Sequence, residues 1–568
     1  MKLQILSQLL LSAINAHTEE PLNLESSLQN VLQTQPETPD QILLQDIEGS
    51  IPNWIDGSFY RNGPGKFEFN EDKFQHLFDP MALVQQFQVK EGQVKFNSKY
   101  IRSRNFKVNT ELDQIVYPEL GTAAEPDWIH LDENGQELTE EEIIHNRWKF
   151  FVEPESKTDN TLVSLHSLCG NMVAFSETLS LHSIDKQSLD TLESFSIEQA
   201  TNYPKGLIGM TQTPHGMITE EGDFINMMTG ILMDTSNGIR PPKVAYYMYR
   251  IKNARDGKCS IKEILENMEF SEPTYNENKH SLKIGYMHEG VLAGDYFLAI
   301  LSSTITDMSL IKDNTVNGRP LLESNRHDPE REQEIRVFNL VNFEWEVARQ
   351  IPKLPSGIML HTINGQVLKK TKKETTIQFD GLWSGNPSVL SMFYLDALRQ
   401  QDSDFEDLRS LTTPSGQPVR IQFKIGGVNS DVQINALVDN QDPQWKGYTQ
   451  GGVEFPTINE KTRGKGSNHF WGVGYVQVLG DRLYHTNTQN GQRHMFYQEG
   501  YQPSEPVFVQ LPENDEEDKG ILISTLIPIV ENQRGFIVFL EANTMIEIAR
   551  AYLPENLNLA TSFHSIWL

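Results

Sequence analysis

Short runs of alternating apolar and polar residues, separated by turn residues, make up most of this chain. The segment "QQFQVKEGQVKFNSKYI" reverses at Glu91–Gly92, and similar reversals fall at Gly170–Asn171, at Gly480–Asp481 and near Ala542–Asn543. Alternation with a period of two indicates β-strands, and a turn between two such runs indicates a hairpin. Because no alternation of strands with helices interrupts these hairpins, the pattern predicts an all-β fold.

The length of the chain limits which all-β architectures are possible. Its 568 residues are enough for several ordinary domains or for one large all-β domain. A closed ring of sheets, the β-propeller, accommodates hairpins over such a length. We predict an N-terminal extension over residues 1–40 and a single propeller domain over residues 41–568.

Two segments predict helices inserted on this scaffold. In "LTEEEIIHNRWKFF", Thr139 and Glu142 have the spacing of a capping box, which is typical of a helix start. "VLSMFYLDALRQ" (389–400) also has helical spacing. The basic run "KKTKKE" (369–374) is interpreted as a solvated turn at a hairpin tip rather than as a contact with anionic lipid.

Charge and cysteine content exclude some classes of partner and site. The formal net charge of −29 opposes attraction to a phosphate backbone, so we expect no nucleic-acid partner. Cys169 and Cys259 are the only two cysteines, which are too few for a disulfide framework or a thiolate-rich metal site. Any metal must therefore be held by nitrogen and oxygen atoms.

The N-terminal segment "MKLQILSQLLLSAINA" does not decide between a cytosolic and a secreted protein. It resembles a weak signal peptide, but polar residues interrupt its apolar part, and the alternative is an amphipathic helix or frayed extension. The chain has no Asn-x-Ser/Thr glycosylation sequon, which favours the cytosol. We expect a cytoplasmic protein with peripheral membrane contact, or a secreted one if residues 1–16 act as a signal peptide.

Three of the 15 histidines stand at matching positions in strand-like hairpins. His215 and His288 are 73 residues apart, as are His288 and His361. The turns that follow them are expected at Gly222–Asp223, Gly294–Asp295 and Asn364–Gly365, respectively. Equivalent strand ends of a propeller meet at its axis, so we expect these side chains to converge. His564 in the terminal "TSFHSIWL" is a fourth candidate.

Such a group of imidazoles suits iron, zinc, copper or nickel, so the ligands alone do not identify the metal. Ligating histidines need a partner on the other ring nitrogen to fix their orientation. Glu177, Glu454 and Glu505 lie in otherwise apolar, strand-like surroundings, which makes them candidates for buried partners. The alternatives are solvated loop carboxylates and ordinary hydrogen-bonded core histidines.

Motifs along the whole chain resemble one family. "GSFYRNGPGKFEF", "FSET", "TPHG", "YMHEG", "LHTING", "VEFPTIN", "PSEPVFV", "EEDKGILIS" and "FHSIW" occur in the order seen in the carotenoid cleavage oxygenases, in particular their animal branch. The resemblance covers roughly residues 40 to 568. It implies a seven-bladed β-propeller with a helical and loop dome over the metal face, and Fe2+ on the propeller axis.

The resemblance also implies a role for each candidate residue. The four ligands of Fe2+ would be His215, His288, His361 and His564. Glu177 would orient His288, Glu454 would orient His361 and Glu505 would orient His564, while His215 would have no glutamate partner.

Several positions depart from the family pattern and suggest an altered pocket. Gly216 replaces a usual proline, Ser565 replaces a usual glycine, and Ser176 replaces a common threonine. Where the family usually has Asn-Ala-x-Glu, Asn364 is followed here by Gly365 and Gln366. The animal Pro-Asp-Pro-Cys motif reads "PDWIH", so a cysteine for lipid anchoring is missing there. Any membrane contact is therefore expected from Ile129 and Leu131, assisted by Trp128.

The function that this resemblance implies is that of an iron-dependent dioxygenase. With O2, it would cleave a conjugated double bond of a carotenoid or apocarotenoid to carbonyl products. One alternative is a retinyl ester isomerohydrolase, in which the same iron acts as a Lewis acid on a retinoid ester. Another is a polyene-binding protein that has lost turnover.

Overall fold

The computed structural model describes most of the chain from residue 31 onward. The described residues are 31–153, 157–200, 203–232, 243–257, 259, 265–270, 283–346, 352–385, 390, 393–399, 416–426, 432–438, 452–474, 480–530 and 532–568. The predicted signal segment, residues 1–16, lies outside them.

Short strands dominate the first part of the chain. They are β1 (Ile42–Leu43), β2 (Ile47–Gly49), β3 (Gly57–Lys66), β4 (Glu68–Phe69), β5 (Asp72–Lys73), β6 (Met81–Lys90), β7 (Gln93–Tyr100), β8 (Ser164–Leu168), β9 (Asn171–Phe175), β10 (Ser180–Ile184), β11 (Thr191–Ser196), β12 (Leu207–Gln212), β13 (Met217–Ile218), β14 (Phe224–Leu232), β15 (Lys243–Ile251), β16 (Leu265–Phe270), β17 (Lys283–Gly285), β18 (Gly290–Ala293) and β19 (Tyr296–Leu301).

The second part continues in the same way. Its strands are β20 (Thr304–Asp307), β21 (Asn325–His327), β22 (Gln333–Asn339), β23 (Glu344–Trp345), β24 (Lys353–Leu354), β25 (Ile358–Lys370), β26 (Thr375–Ser384), β27 (Gln417–Ile425), β28 (Gln433–Ala436), β29 (Val453–Thr457), β30 (His469–Gly474), β31 (Arg482–Asn487), β32 (Arg493–Tyr497), β33 (Tyr501–Pro503), β34 (Val507–Gln510), β35 (Gly520–Pro528), β36 (Phe536–Glu541), β37 (Glu547–Tyr552) and β38 (Ser565–Trp567).

Antiparallel pairing joins these strands into nine sheets within the described residues, and seven of the sheets have four to six strands. In spatial order the seven are β1-β7-β6-β3-β38, β11-β10-β9-β8, β12-β14-β15-β16 with β13 on β14, β18-β19-β22-β23 with β24 on β22, β25-β26-β27-β28, β29-β30-β31-β32, and β2-β37-β36-β35-β33 with β34 on β35. Two smaller sheets are β17-β20-β21 and β4-β5. The predicted all-β class is confirmed.

The two ends of the chain exchange strands. The last strand, β38, pairs with β3 near the N-terminus, where Arg61 is opposite Ser565. In return, β2 pairs with β37, where Ile47 is opposite Ala551. This exchange ties the first sheet to the last one, and it holds His564, which directly precedes β38, against the body of the protein.

Four described α-helices lie between the strands: α1 (Arg104–Leu112), α2 (Glu140–Val152), α3 (Met308–Val316) and α4 (Leu395–Arg399). The predicted capping box is confirmed, because Thr139 and Glu142 cap each other's backbone at the start of α2. The helix predicted over 389–400 forms at α4, whereas 389, 391–392 and 400 lie outside the described residues. Helices α2 and α3 pack against each other.

None of the helices in the described ranges is both long and apolar enough to cross a membrane.

Most predicted turns are present, but one is wrong. Gly294, with a φ of 55°, turns the chain between β18 and β19 as expected. Asn364 and Gly365, in contrast, lie inside β25, and the turn comes at 371–374, where the basic run is largely exposed as predicted. The side chain of Asn364 donates to the Ser467 hydroxyl at 2.7 Å, and a Cβ on Gly365 would lie 2.5 Å from the Leu292 carbonyl oxygen. This Asn-Gly pair therefore serves packing between strands rather than a turn.

The residues before the first strand contact the sheets. Val31 and Leu32 are buried in the same apolar cluster as β3 and β6. The backbone N–H of Gln35 donates to the Gly65 carbonyl at 2.9 Å. A domain boundary at residue 40 stays a prediction.

Cys169, in the turn between β8 and β9, forms a disulfide with Cys259, which follows β15. The bond closes a loop between residues 90 positions apart. Disulfides are typical of oxidising compartments. The choice between the cytosol and secretion stays a prediction.

We expect the double variant Cys169→Ser, Cys259→Ser to lose about 2–4 kcal/mol of unfolding free energy, because the unfolded chain regains freedom when the loop opens. Denaturant unfolding measures this loss. Alkylation without reductant, followed by intact mass analysis, should detect no free thiol in the natural protein. Two alkylated thiols in protein taken from its native compartment would contradict the disulfide and support the cytosol.

Candidate metal centre

Four histidines from distant parts of the chain meet at one buried point. His215 lies between β12 and β13, His288 between β17 and β18, His361 in β25, and His564 directly before β38. The Nε2 atoms of His215 and His288 are 3.1 Å apart, and those of His361 and His564 are 3.3 Å apart. One nitrogen from each ring lies within 4.8 Å of the other three. The structure thus brings together all four histidines singled out from the sequence.

Each of the three glutamates singled out from the sequence contacts one of these rings. The Nδ1 atom of His288 is 2.7 Å from Glu177 Oε1, and the Nδ1 atom of His361 is 2.6 Å from Glu454 Oε2. The Nδ1 atom of His564 is 3.0 Å from Glu505 Oε1. These are the pairs that the family resemblance implies.

The carboxylates determine which nitrogen of each ring is free. An ionised carboxylate accepts hydrogen bonds, so the Nδ1 atoms of His288, His361 and His564 carry the proton and donate it. In a neutral imidazole the Nε2 atom then has a lone pair. Three lone pairs therefore face one another at the centre of the group.

Burial keeps the rings neutral. It lowers the pKa of His361 to about 3. Burial together with the neighbouring histidines lowers the pKa of His215 and of His564 well below the usual range. Burial also lowers the pKa of His288, although Glu177 opposes this. Neutral imidazole is the form that binds a metal.

The carboxyl groups need a positive charge nearby. Burial raises the pKa of Glu454 to about 8, although the Gly416 N–H donates to it at 3.0 Å. Burial likewise raises the pKa of Glu505 far above its usual range, although Ser565 N–H donates to it. A cation among the histidines favours the ionised form of both groups.

The residues present fit a metal ion. Two nitrogens bound to one ion at about 2.1 Å lie roughly 3.0–3.4 Å apart. The observed separations of 3.1 and 3.3 Å agree with this range. A cation at the centre also removes the repulsion between the facing lone pairs, so this group is a candidate metal centre.

His215 differs from the other three histidines because no described carboxylate contacts its ring. Its backbone forms a parallel bridge with Glu289 instead. The next residue, Gly216, replaces the proline that is usual in the family. A Cβ at this position would lie 2.0 Å from the buried ring of Phe224, so the packing of Phe224 explains why glycine is present.

Sequence reasoning missed two aromatic residues of the site. The Tyr286 hydroxyl donates to Glu177 and is 3.2 Å from the Nδ1 atom of His288. Phe455 contacts two rings, with centroids 5.4 Å from His361 and 5.1 Å from His564. Their positions in the sequence could have pointed to them, because Tyr286 precedes the candidate ligand His288 by two residues and Phe455 directly follows Glu454.

A cavity of about 1140 Å³ reaches the histidines. Its lining includes His288, His361 and His564, together with Ser176. The apolar part of the lining includes Phe78, Leu120, Leu360, Phe393, Phe455 and Phe563. Charged groups of the lining pair with each other, for example Arg147 with Glu125 at 2.6 Å and Lys157 with Glu198 at 3.1 Å. The walls therefore suit a long apolar molecule.

Helices α2 and α3 contribute Trp148, Phe150 and Met308 to this lining. In the nearby "PDWIH" segment, the expected membrane contact of Ile129 is wrong, because its side chain is fully buried. Trp128 is 41% exposed instead, and it lies beside Lys149 of α2.

Comparison with known proteins agrees with these observations. A family model described as retinal pigment epithelial membrane protein (RPE65) matches residues 31–568. The mitochondrial carotenoid-cleaving dioxygenase of Mustela putorius furo is 25% identical over 564 residues, which cover 95% of this chain and 96% of that protein. The carotenoid isomerooxygenase of Galleria mellonella is 26% identical over 513 residues, which cover 89% of each chain.

Among solved structures, a variant of the Synechocystis apocarotenoid oxygenase matches with a TM-score of 0.70 and 17% identity. The match covers 96% of this chain and 99% of that chain. At this identity the likeness shows a shared fold. The family model, in contrast, spans almost the whole chain, and the chain therefore belongs to the retinal pigment epithelial membrane protein family, which includes the carotenoid cleavage oxygenases it resembles.

Proposed function

We propose that this protein is an iron-dependent dioxygenase that cleaves a conjugated double bond of a carotenoid or apocarotenoid to two carbonyl products. One observation carries the proposal: three carboxylate-oriented imidazoles and a fourth histidine face one buried point at the wall of a large apolar cavity. The names of the relatives, a carotenoid-cleaving dioxygenase and a carotenoid isomerooxygenase, support the same reaction class.

In this proposal His215, His288, His361 and His564 hold Fe2+ through their Nε2 atoms. When bound there, the ion supplies activation of O2 beside the substrate. Neutral ligands suit this role, because they leave the positive charge of the ion undiminished. Glu177, Glu454 and Glu505 act as positioning residues, since each holds the Nδ1 proton of one ligand and thereby aims its lone pair at the ion.

The cavity provides the other requirements of the reaction. Its apolar walls exclude water and hold a rigid polyene so that one double bond lies beside the histidines. Phe455 and Phe563 are well placed for this positioning, because both line the cavity beside the histidines. Phe455 contacts the rings of His361 and His564, and Phe563 directly precedes His564. Regiospecificity then depends on how deep the polyene enters.

The architecture that we propose is a seven-bladed propeller over residues 41–568. The seven larger sheets would be its blades, and the exchange of β2 and β38 between the terminal sheets would close the ring. Helices α2 and α3 would form part of a dome over the metal face, which agrees with their place in the cavity lining.

The activity test uses full-length protein loaded with Fe2+ under anaerobic conditions and then exposed to β-carotene or an apocarotenoid in air. We expect two carbonyl products, with ¹⁸O from labelled O2 in the product, and no product from His288→Ala, which lacks one ligand. Chromatography with mass spectrometry measures both.

Other outcomes favour the alternatives. Turnover of a retinyl ester without O2 would identify the isomerohydrolase instead. A bound chromophore with no product from any polyene, despite full iron content, would identify a binding protein.

The role of the buried carboxylates is tested by Glu454→Gln. Because this change removes the negative partner of His361, we expect iron affinity to fall by about 10–100-fold. Metal analysis after dialysis against graded chelator measures the affinity. Glu499→Gln is the matched control, since Glu499 is exposed in the turn after β32. Equal iron affinity in the two variants would show that Glu454 does not support the metal.

We further propose that the protein contacts membranes through a patch beside the cavity. Trp128, Ile144 and Trp148 are 41%, 38% and 41% exposed, and Trp148 also lines the cavity. Aromatic residues with a neighbouring lysine, here Lys149, suit the interface of a bilayer.

We expect the double variant Trp128→Ala, Ile144→Ala to bind lipid vesicles several-fold more weakly in co-sedimentation, because it removes apolar area from this patch. Val341→Ala is the control, since Val341 is 74% exposed on the turn between β22 and β23. If both variants sediment with vesicles as the unaltered protein does, the patch is not the contact.

A further inference from the structure

A second group of metal-binding side chains lies outside the four-histidine centre. It consists of His469 at the start of β30, His485 in β31, and Asp518 in the loop before β35. One ligand atom from each lies within 4.8 Å of the other two. Two imidazoles and one carboxylate are a common ligand set for divalent transition metals in proteins.

Strand pairing brings the two histidines together. Trp471 is opposite His485, and His469 precedes Trp471 by two residues on the same face of β30. Diagonal neighbours of this kind are within reach of each other's side chains. The Nδ1 atom of His469 lies 2.9 Å from the Nε2 atom of His485. Trp471 stacks on His485 with centroids 5.3 Å apart, which fixes the plane of that ring.

The tautomer of His485 leaves a lone pair on its Nε2 atom, on the side that faces His469. Its Nδ1 atom is 3.1 Å from the Asn543 carbonyl oxygen, which only accepts hydrogen bonds, so Nδ1 carries the proton. His485 is buried, and burial favours the neutral form of the ring. A backbone carbonyl that orients the far nitrogen is a usual partner of a metal-ligating histidine.

The loop that carries Asp518 is anchored beside the histidines. The carboxylate of Glu517 accepts backbone N–H bonds from Asn468 at 2.9 Å and from His469 at 3.1 Å. This leaves Asp518 Oδ2 3.9 Å from the Nδ1 atom of His469. That distance is too long for a hydrogen bond. Two ligand atoms bound to one ion at about 2.0–2.2 Å lie roughly 3.0–3.6 Å apart, so the Asp518 carboxylate must approach His469 by a few tenths of an ångström when an ion binds.

The group is accessible and lies in an acidic environment. The side chains of His469 and Asp518 are 17% and 22% exposed, so an ion can enter from solvent. The same loop carries Glu513, Asp515 and Glu516, all exposed, which raise the local concentration of cations.

We propose that His469, His485 and Asp518 form a second metal site, for a divalent transition-metal ion such as Zn2+. The histidines belong to the sheet of β29–β32, whereas Asp518 belongs to the loop between β34 and β35 of the last sheet. A bound ion ties these two sheets together, and water completes its coordination. The role of this site is therefore structural and separate from the chemistry in the cavity.

The test uses iron-loaded full-length protein, incubated anaerobically with excess Zn2+, desalted, and analysed for both metals. We expect each chain to gain one zinc without loss of iron, and the melting temperature to rise with zinc. His469→Ala and Asp518→Asn should each lower zinc affinity at least tenfold and abolish the rise. Asp515→Asn, the same change on an exposed residue of the same loop, should behave like the unaltered protein.

Two results would overturn the proposal. In the first, the zinc gained equals the iron lost, which places zinc at the four-histidine centre. In the second, Asp518→Asn and Asp515→Asn bind zinc equally. The comparison of the two aspartate variants does not depend on whether the four-histidine centre holds iron, and it decides the question if His469→Ala fails to fold.

Discussion

The hydrogen bond from a buried histidine to a buried carboxylate is the interaction on which the centre of this protein depends. A glutamate that accepts the Nδ1 proton fixes the tautomer, and the Nε2 lone pair must then face the opposite way. Three such pairs, at 2.6 to 3.0 Å, aim three lone pairs at one point. None of these groups is stable alone in an apolar interior, because each buried carboxylate needs a compensating charge or donor.

The β-scaffold makes this arrangement possible. Each histidine stands in or beside a strand at the edge of a different sheet, so the sheets rather than local sequence set the distances. The exchange of β2 and β38 matters most for His564, because β38 would otherwise be a free terminal strand. Pairing with β3 holds that strand, and with it the last histidine, in place.

Much of the fold and of the site was predictable from residue patterns. Period-two alternation and turn residues predicted the hairpins, and the capping box at Thr139 and Glu142 marked the start of α2. The Asn364–Gly365 turn was wrong because an Asn-Gly pair also occurs where a strand packs closely on its neighbours. The exposure of Ile129 was wrong as well, because one apolar residue beside an exposed tryptophan can face either way.

The order of residues along the chain was sufficient to identify an all-β protein with repeated histidines and three glutamates in apolar settings. Residue patterns alone could not show which glutamate holds which histidine, because the partners are 59 to 111 residues apart, and only the family resemblance implied the pairs. The contact of Tyr286 with Glu177, the disulfide between Cys169 and Cys259, and the approach of Asp518 to His469 likewise come from packing between distant segments. Periodicity records which face of a strand is buried, but only the assembled sheets decide which side chains meet there.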